Sequence, residues 1–538
     1  MTLNASAPWH KASFDRFLRE RLPGLLSDRL PLAGYRAEST GAHACSVKVI
    51  LSGESGDVAV EYIGIPQPDG EGVFEVDGRR LIVLPVAPHE DLDAAEVRCV
   101  GEQLHDFIQA RLGEAPDDLS WDEALLRTWL PLDGWVRAFV EQAAQDLQQT
   151  NYLDRQTHLR RISIPNRERV ITPGQMGRVC PFETPEGPNI GRWLTVALGA
   201  EVRDGRLIVV DDRPEAALGL SASLIPFLEH TDANRLLMGV NMMRQWLPPS
   251  APEPALVRTG NEPDAPEFWC GHNLLTAFIP WDGDAFEDAI VISASCAKRL
   301  RYAAPVEPGD KFSNRFGAKG VISRILSDDE MPRLPDGTPV ELIYSLCGLP
   351  SRMNFGQVRE AVMGRIAKAE GKPAIVPPFH APKERELRER LKKAGLPEDG
   401  METLTLKGKK LPYRSTVGWV YWGCTIHIAR DKIHASVGEG RCQHLGRMEY
   451  EVLREAKAFE TVREMYNTLA EDREDAGTLA GRVTSGPVEQ APPPTPAFAG
   501  LTRCLSVAGI RADLQGERLS FRFAPPEGPV LKLAHPVP

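Results

Sequence analysis

The sequence predicts a multidomain α+β protein, on three observations. Its 538 residues are 42% hydrophobic and 25% charged, the composition of a soluble globular chain with length for roughly three to five domains. Stretches with apolar residues at helical spacing alternate with short β-type runs bounded by turn residues. From about 150 to 350 the chain is rich in glycine, proline and short β-type segments, a pattern that favours a compact barrel carrying long loops.

Taken in order, residues 12–30 place Phe14, Phe17, Leu18, Leu22, Leu25 and Leu26 at helical spacing. Strand-like runs follow at 47–51, 58–62, 73–76 and 81–85, and Asp77-Gly78 joins the last two as a hairpin. Residues 94–112 and 134–149 read as helices, the second with Trp135, Phe139, Ala143 and Leu147 on one face. Turn signals recur at Pro185-Glu186-Gly187-Pro188, Pro308-Gly309-Asp310 and Pro335-Asp336-Gly337. Residues 380–393 form a highly charged helix and 449–471 an amphipathic one, before a proline-rich linker at 491–496. No internal repeat is evident.

The formal charge of −11 argues against a nucleic-acid binder when taken alone. Its distribution argues otherwise: residues 1–150 hold 13 Lys and Arg against 25 Asp and Glu, so the remainder is close to neutral. Within that remainder Arg155, Arg160, Arg161, Arg167, Arg169 and Arg178 gather in one stretch, and Lys311, Arg315, Lys319 and Arg324 surround glycines. Nine scattered cysteines without a CxxC pair suggest neither a disulfide framework nor a zinc site. No apolar signal core and no run of about 18 apolar residues is present, so a cytoplasmic protein is expected.

Four clusters invite chemistry. Asp282, Asp284, Glu287 and Asp288 are closely spaced carboxylates of the kind two-metal phosphoryl transfer uses, although Asp and Gly at 282–284 are equally the residues of a turn. Residues 309–320 (GDKFSNRFGAKG) lack the P-loop order. Their two lysines, eight apart among glycines, suit a polyphosphate or an RNA end; the plainer reading is a solvated basic loop. His427 and His434 fit one helix face but lack a third metal ligand, and His427 with Lys432 suits phosphate or base contacts instead. Arg235 and Arg352 sit in turn-rich strings where a guanidinium fork can grip phosphate oxygens.

In order along 151–538, these strings resemble the β subunit of multisubunit DNA-dependent RNA polymerases. The residues that carry the resemblance are 177–191 (GRVCPFETPEGPNIG), 223–245 (SLIPFLEHTDANRLLMGVNMMRQ), 286–290 (FEDAI), the GDK and AKG lysines, 329–332 with 336–340, 348–357 (GLPSRMNFGQ), the DKIHA and GRMEY strings, and the end from Pro496 to Ile510. The resemblance implies a double-psi β-barrel core with a hybrid-binding region, a reduced protrusion and a C-terminal clamp segment. It divides the chain into a protrusion-like α+β region (1–150), a fork and RNA-path region (151–222), the barrel and hybrid-binding core (223–357), a hybrid-binding and helical region (358–475) and a linker with clamp segment (476–538).

For single residues it implies that Lys311 and Lys319 lie near the RNA 3′ end and the incoming nucleotide. Arg235 and Arg352 would hold the triphosphate, and Glu287 and Asp288 would lie near a second metal. RNA or hybrid contacts would come from Asn151, His158, Arg160, Arg161, Glu186, Asn189, Gln245, His427 and Lys432; the segment with Thr157 and Ser163 resembles the RNA path and rifamycin pocket. Departures from the pattern are equally visible. Only about twenty residues separate Asp288 from Gly309, where the family inserts its flap, and the lobe is absent, so the standard σ-flap contact is not expected. Family residues in the NKG, GRHG, HAR and GEME strings are replaced here by Ala318, Phe316, Ser436 and Arg447.

No NADFDGD string occurs in the chain. The resemblance therefore implies a β-like subunit of a DNA-directed RNA polymerase whose Mg2+ is held by a β′-type partner, a nucleotidyltransferase inactive by itself. Its other partners would be DNA template, RNA, nucleoside triphosphates and α-type subunits, with no membrane. The alternative is a catalytically inactive paralogue that binds polymerase subunits or nucleic acid and regulates transcription.

Overall fold

A computed structural model describes residues 7–53, 56–89, 91–113, 122–165, 172–281, 284–285, 288–300, 302, 304–432, 446–462, 502, 505, 510–515 and 518–523. The chain divides into two compact units. The first comprises residues 1–306 and 310–427, the second residues 307–309 and 428–538. No described helix is long and apolar enough to cross a membrane.

The first unit begins with helical turns Trp9–Arg16, Phe17–Arg21 and Leu22–Ser27, the middle one a π-helical turn. Their apolar face packs with an antiparallel sheet of Leu32–Ser39, Ala44–Leu51 and Val58–Pro66 into one core with Phe14, Phe17, Leu22, Val47, Val49 and Tyr62. The Asp77-Gly78 hairpin forms between Phe74–Val76 and Arg79–Ile82. Both turn residues are left-handed, at φ 51° and 73°, as a type I′ turn requires. The helix expected over 134–149 runs instead from Leu132 to Ala143. Ala144 turns extended, and Gln145–Asp146 joins the sheet beside Arg79–Ile82, sheet pairing overriding the helical spacing of Leu147. The helix expected over 94–112 is likewise shorter, Val100–Gln109.

The predicted barrel is a closed six-stranded one. Its strands are β1 (His272–Phe278), β2 (Ala289–Ser293), β3 (Lys311–Asn314), β4 (Lys319–Leu326), β5 (Leu342–Tyr344) and β6 (Ser415–Cys424), in the order β1-β5-β2-β4-β3-β6 with β6 pairing back to β1. The β1–β5 and β2–β4 pairs are parallel and the others antiparallel. One apolar cluster draws on all six strands through Leu274, Ile290, Phe312, Ile322, Tyr344 and Trp422. It is the barrel interior, because only there do residues of opposite strands meet. Among the helices that flank the barrel are α1 (Ala233–Arg244), α2 (Gly348–Arg352) and α3 (Gly356–Glu370). Gly364 and Gly418 let α3 lie directly on β6, since a Cβ at either would strike backbone of the other element. The charged helix expected over 380–393 spans Glu384–Lys393, with Leu387 and Leu391 buried.

In the second unit, helices Ala429–Lys432 and Arg447–Glu455 meet at Gly309, whose left-handed φ of 98° and missing Cβ admit Ala429, Met448 and Val452. Strands Ile510–Gln515 and Arg518–Phe523 form an antiparallel hairpin. The amphipathic helix expected over 449–471 is instead interrupted after Glu455, where Lys457 turns left-handed at φ 57°, and helical backbone resumes at 459–462. Residues 463–471, the linker at 491–496 and His434 lie outside the described residues.

Candidate functional site

The site is built around the tight connection between β3 and β4. Lys311 lies opposite Val321, and Lys319 opposite Ser313. Side chains alternate along strands, so Phe312 and Ile322 point into the barrel while Lys311, Ser313, Lys319 and Val321 share its outer face. The two lysines are therefore diagonal cross-strand neighbours, about 7–8 Å apart. What reads as a basic loop in the sequence is a rigid hairpin face.

Asn314, fully buried, locks the turn. Its Oδ1 accepts from the N–H groups of Phe316 (3.0 Å) and Ala318 (3.2 Å), and its Nδ2 donates to Gln357 Oε1 (2.9 Å). Asn354 Nδ2 donates to the Phe316 carbonyl at 2.8 Å, which ties the strand of residues after α2 to the same turn. Two glycines bring α1 against it: a Cβ on Gly239 would strike the Arg315 carbonyl, and one on Gly317 (φ 72°) the Arg235 carbonyl. Asp232 caps α1 by accepting from Asn234 N–H (2.9 Å) and donates its own N–H to the Met353 carbonyl (3.1 Å). Arg235 on α1 and Arg352 at the end of α2, far apart in sequence, are thus fixed to one turn.

Arg352 donates from both Nη atoms to Asp288, Nη2 to Oδ2 at 2.8 Å, and the Tyr344 hydroxyl approaches Asp288 Oδ1 at 3.4 Å. The hydrogen bonds to Asp288 push the Arg352 guanidinium up, and burial with the adjacent Asp288 carboxylate pushes the Tyr344 hydroxyl up. The Asp288 carbonyl accepts from Val321 N–H at 3.1 Å, which seats the carboxylate beside Lys319-Gly320. Arg235 meets the Met238 sulfur at 3.3 Å rather than a carboxylate. At the other end of β3, Lys311 donates its N–H to the His427 carbonyl (3.2 Å), and Ile426 donates to the Gln245 carbonyl (2.9 Å). Lys311, Lys319, Arg235, Arg352, Asp288, Gln245 and His427 are therefore brought together. Lys432 belongs to the second unit, on helix Ala429–Lys432. Glu287 lies outside the described residues.

Several expected RNA contacts are interior groups. Asn151 donates to the carbonyls of Met243 (2.9 Å), Arg244 (3.2 Å) and Trp246 (2.8 Å), so it caps the end of α1. Arg160 donates to the Val196 and Ala200 carbonyls (3.1 and 3.0 Å), and burial pushes it down to about 10. His158, without exposed surface, accepts the Gln148 N–H on Nδ1 (2.9 Å), and burial together with the Arg161 and Arg244 charges holds it at about 3. Arg161 bonds Gln148 Oε1 (3.1 Å) and faces the Trp193 ring; burial first, then Arg244, lowers it to about 9. Glu186 is exposed and Asn189 half-buried, at the tip of a loop anchored by buried Glu183 accepting from Ala222 N–H (2.9 Å). Asn314, Tyr344 and Gln357 escaped the sequence reading. Asn314 sits inside the very string that carries the lysines, whereas nothing local marks Tyr344.

Among the described residues no three His, Cys, Asp or Glu side chains come together as metal ligands.

The fold and site define a class: a multidomain α+β protein on a closed β-barrel that presents converging lysines and arginines on its outer face. Residues 145–202 match the family described as RNA polymerase Rpb2, domain 3, and residues 298–448 match RNA polymerase Rpb2, domain 6. Three proteins each named DNA-directed RNA polymerase subunit beta are similar to parts of the chain. That of Solibacter usitatus is 46% identical over 133 residues (24% of this chain, 9% of that protein). That of Chloroflexus aggregans is 34% identical over 237 residues (41% and 19%). That of Syntrophomonas wolfei is 24% identical over an alignment of 594 positions (57% and 54%). The chain is similar to RNA polymerase β subunits over these stretches, and it spans about half or less of the length of these relatives.

Proposed function

We propose that the chain is a β-type subunit of a multisubunit DNA-directed RNA polymerase, completing with a β′-type partner an active site that adds nucleotides to RNA on a DNA template. The observation that carries this is the convergence of Lys311, Lys319, Arg235 and Arg352 on one rigid hairpin. Phosphoryl transfer needs little covalent chemistry from protein; it needs fixed positive charge where the triphosphate and the growing end carry negative charge. Lys311 and Lys319 act as point charges near the RNA 3′ end, and the arginines orient the triphosphate. Mg2+, when bound, neutralises charge on the attacking and leaving oxygens, and its ligands belong to the partner. RNA or hybrid contacts fall to the reachable groups of Gln245, His427, Glu186, Asn189 and Lys432.

The test is reconstitution of the full chain with a β′-type subunit and extension of a primed RNA on a DNA template. The complex should extend the primer, and Lys311→Ala or Lys319→Ala should reduce the rate at least a hundredfold while the complex still assembles. An assembled complex without extension, or with lysine variants as active as the parent, overturns the assignment. Unchanged nucleic-acid binding by the lysine variants in an inert complex would favour the regulatory alternative.

A further inference from the structure

The Arg352 guanidinium, central to the phosphate reading, already holds an anion. Its two Nη atoms face the two oxygens of Asp288, the edge-on arrangement a guanidinium also makes with phosphate. The backbone is bent to allow it. Asp288 has φ 67°, and Met353, directly after Arg352, has φ 48°, a left-handed conformation uncommon outside glycine that persists where the surroundings enforce it. The pair is also reachable: the side chains keep 35% and 28% of their surface, against 4% and 2% in the Arg315–Glu360 pair buried behind the same turn. A surface-accessible pair is screened and exchangeable, whereas a buried one is part of the core.

Resting on the phosphate reading above, we propose that Asp288 is an internal stand-in for phosphate: its carboxylate occupies the Arg352 fork in the free chain and is displaced when a triphosphate binds. Carboxylate and phosphate cannot share the fork without bringing like charges together. Asp288 therefore sets the affinity of the site, holding Arg352 in its binding orientation while excluding weakly charged ligands. A ligand with several negative charges, engaging Arg235 and Lys319 as well, displaces it; a monoanion does not. Tyr344, at hydrogen-bonding distance from the same carboxylate oxygen and largely buried, is the group left to receive Asp288 during the exchange.

The experiment uses the full chain and inorganic tripolyphosphate in metal-free, low-salt buffer, with binding followed calorimetrically. Asp288→Asn keeps the shape, tolerates the left-handed backbone and removes the charge. It should bind about two- to fivefold tighter than the parent, the range expected for loss of a competing, partly exposed ion pair. Asp288→Gly, for which that backbone is unstrained, should change affinity in the same direction, and adding Arg352→Ala should abolish the gain. Variants that bind no tighter, or more weakly, than a parent that does bind overturn the proposal and leave the phosphate reading standing. Absence of binding by parent and variants alike overturns both. Primer extension by the reconstituted complex then shows separately whether the phosphate reading has failed.

Discussion

Gly317→Ala probes the hairpin turn most directly. Gly317 has φ 72°, where an alanine costs about 1 kcal/mol for its backbone alone. The new Cβ would also lie within 3 Å of the Arg235 carbonyl oxygen, against an ordinary contact of 3.4–4 Å. Backbone meets backbone there, so no side-chain rotation relieves the overlap, and α1 has to retreat by about 1 Å. Overpacking of that kind adds about 1–3 kcal/mol. Gly408 provides the control: its φ is 78° and nothing lies within 4 Å of its Cβ position, so Gly408→Ala carries the backbone cost alone. In urea denaturation followed by tryptophan fluorescence, with amide exchange of β3 and β4 as the local readout, Gly317→Ala should be the more destabilised by about 1–3 kcal/mol. The reconstituted complex should also lose about a hundredfold in extension rate, because Arg235 moves by about 1 Å relative to Lys319. A Gly317→Ala variant no less stable than Gly408→Ala would refute the tight docking of α1 on the turn.

Other perturbations separate scaffold from chemistry. Glu360→Ala strands the buried Arg315 charge and should cost about 3–5 kcal/mol in urea unfolding, while Arg315→Met with Glu360→Leu should recover most of the loss. Burial holds His10 at about 4 and His158 at about 3, so both are neutral when folded and take up a proton when unfolded below about pH 6.5. Stability is therefore full above that pH. It falls by about 1.4 kcal/mol per histidine for each unit of acidification until the depressed values are reached, and His158→Gln should flatten the profile. Asn151→Ala removes three carbonyl contacts at the end of α1 and should cost about 1–3 kcal/mol in thermal or urea unfolding.

What was legible in the sequence follows from how local the causes are. The Asp77-Gly78 hairpin and the charged helix ending at Lys393 depend on neighbours in sequence, and both form. Five barrel strands fall within the stretch of short β-type runs at 150–350, but β6 at Ser415–Cys424 lies beyond it, and the strand order was not legible, since β1 pairs with β6 across more than a hundred residues of chain. The lysine pair could be singled out from spacing among glycines; that it forms one face of a hairpin comes from the register of β3 and β4. Helical spacing misled at 134–149, where pairing with Arg79–Ile82 takes the last residues into a sheet. The interior roles of Asn151 and Arg160 were illegible, because their partners at 196–200 and 243–246 are brought in only by the fold.

Arginine makes the same point in chemical terms. Arg315 lies in the string that carries the lysines, between two glycine-dependent contacts, and its local sequence is as basic and turn-like as that of Arg352. Its guanidinium nevertheless donates from its Nη atoms to the Leu224 and Val257 carbonyls (3.2 and 2.8 Å) and to Glu360, partners brought in from three distant segments. Among the described residues Arg352 meets one carboxylate, that of Asp288, on a surface that water reaches. Counting positive residues in the motif therefore overstates the charge presented to a phosphate, since Arg315 is cancelled internally and Arg352 is cancelled until Asp288 leaves. The field at the hairpin face then depends on Asp288 as much as on the basic residues. A triphosphate that displaces this carboxylate gains a guanidinium fork, and it no longer meets the negative charge that had occupied it.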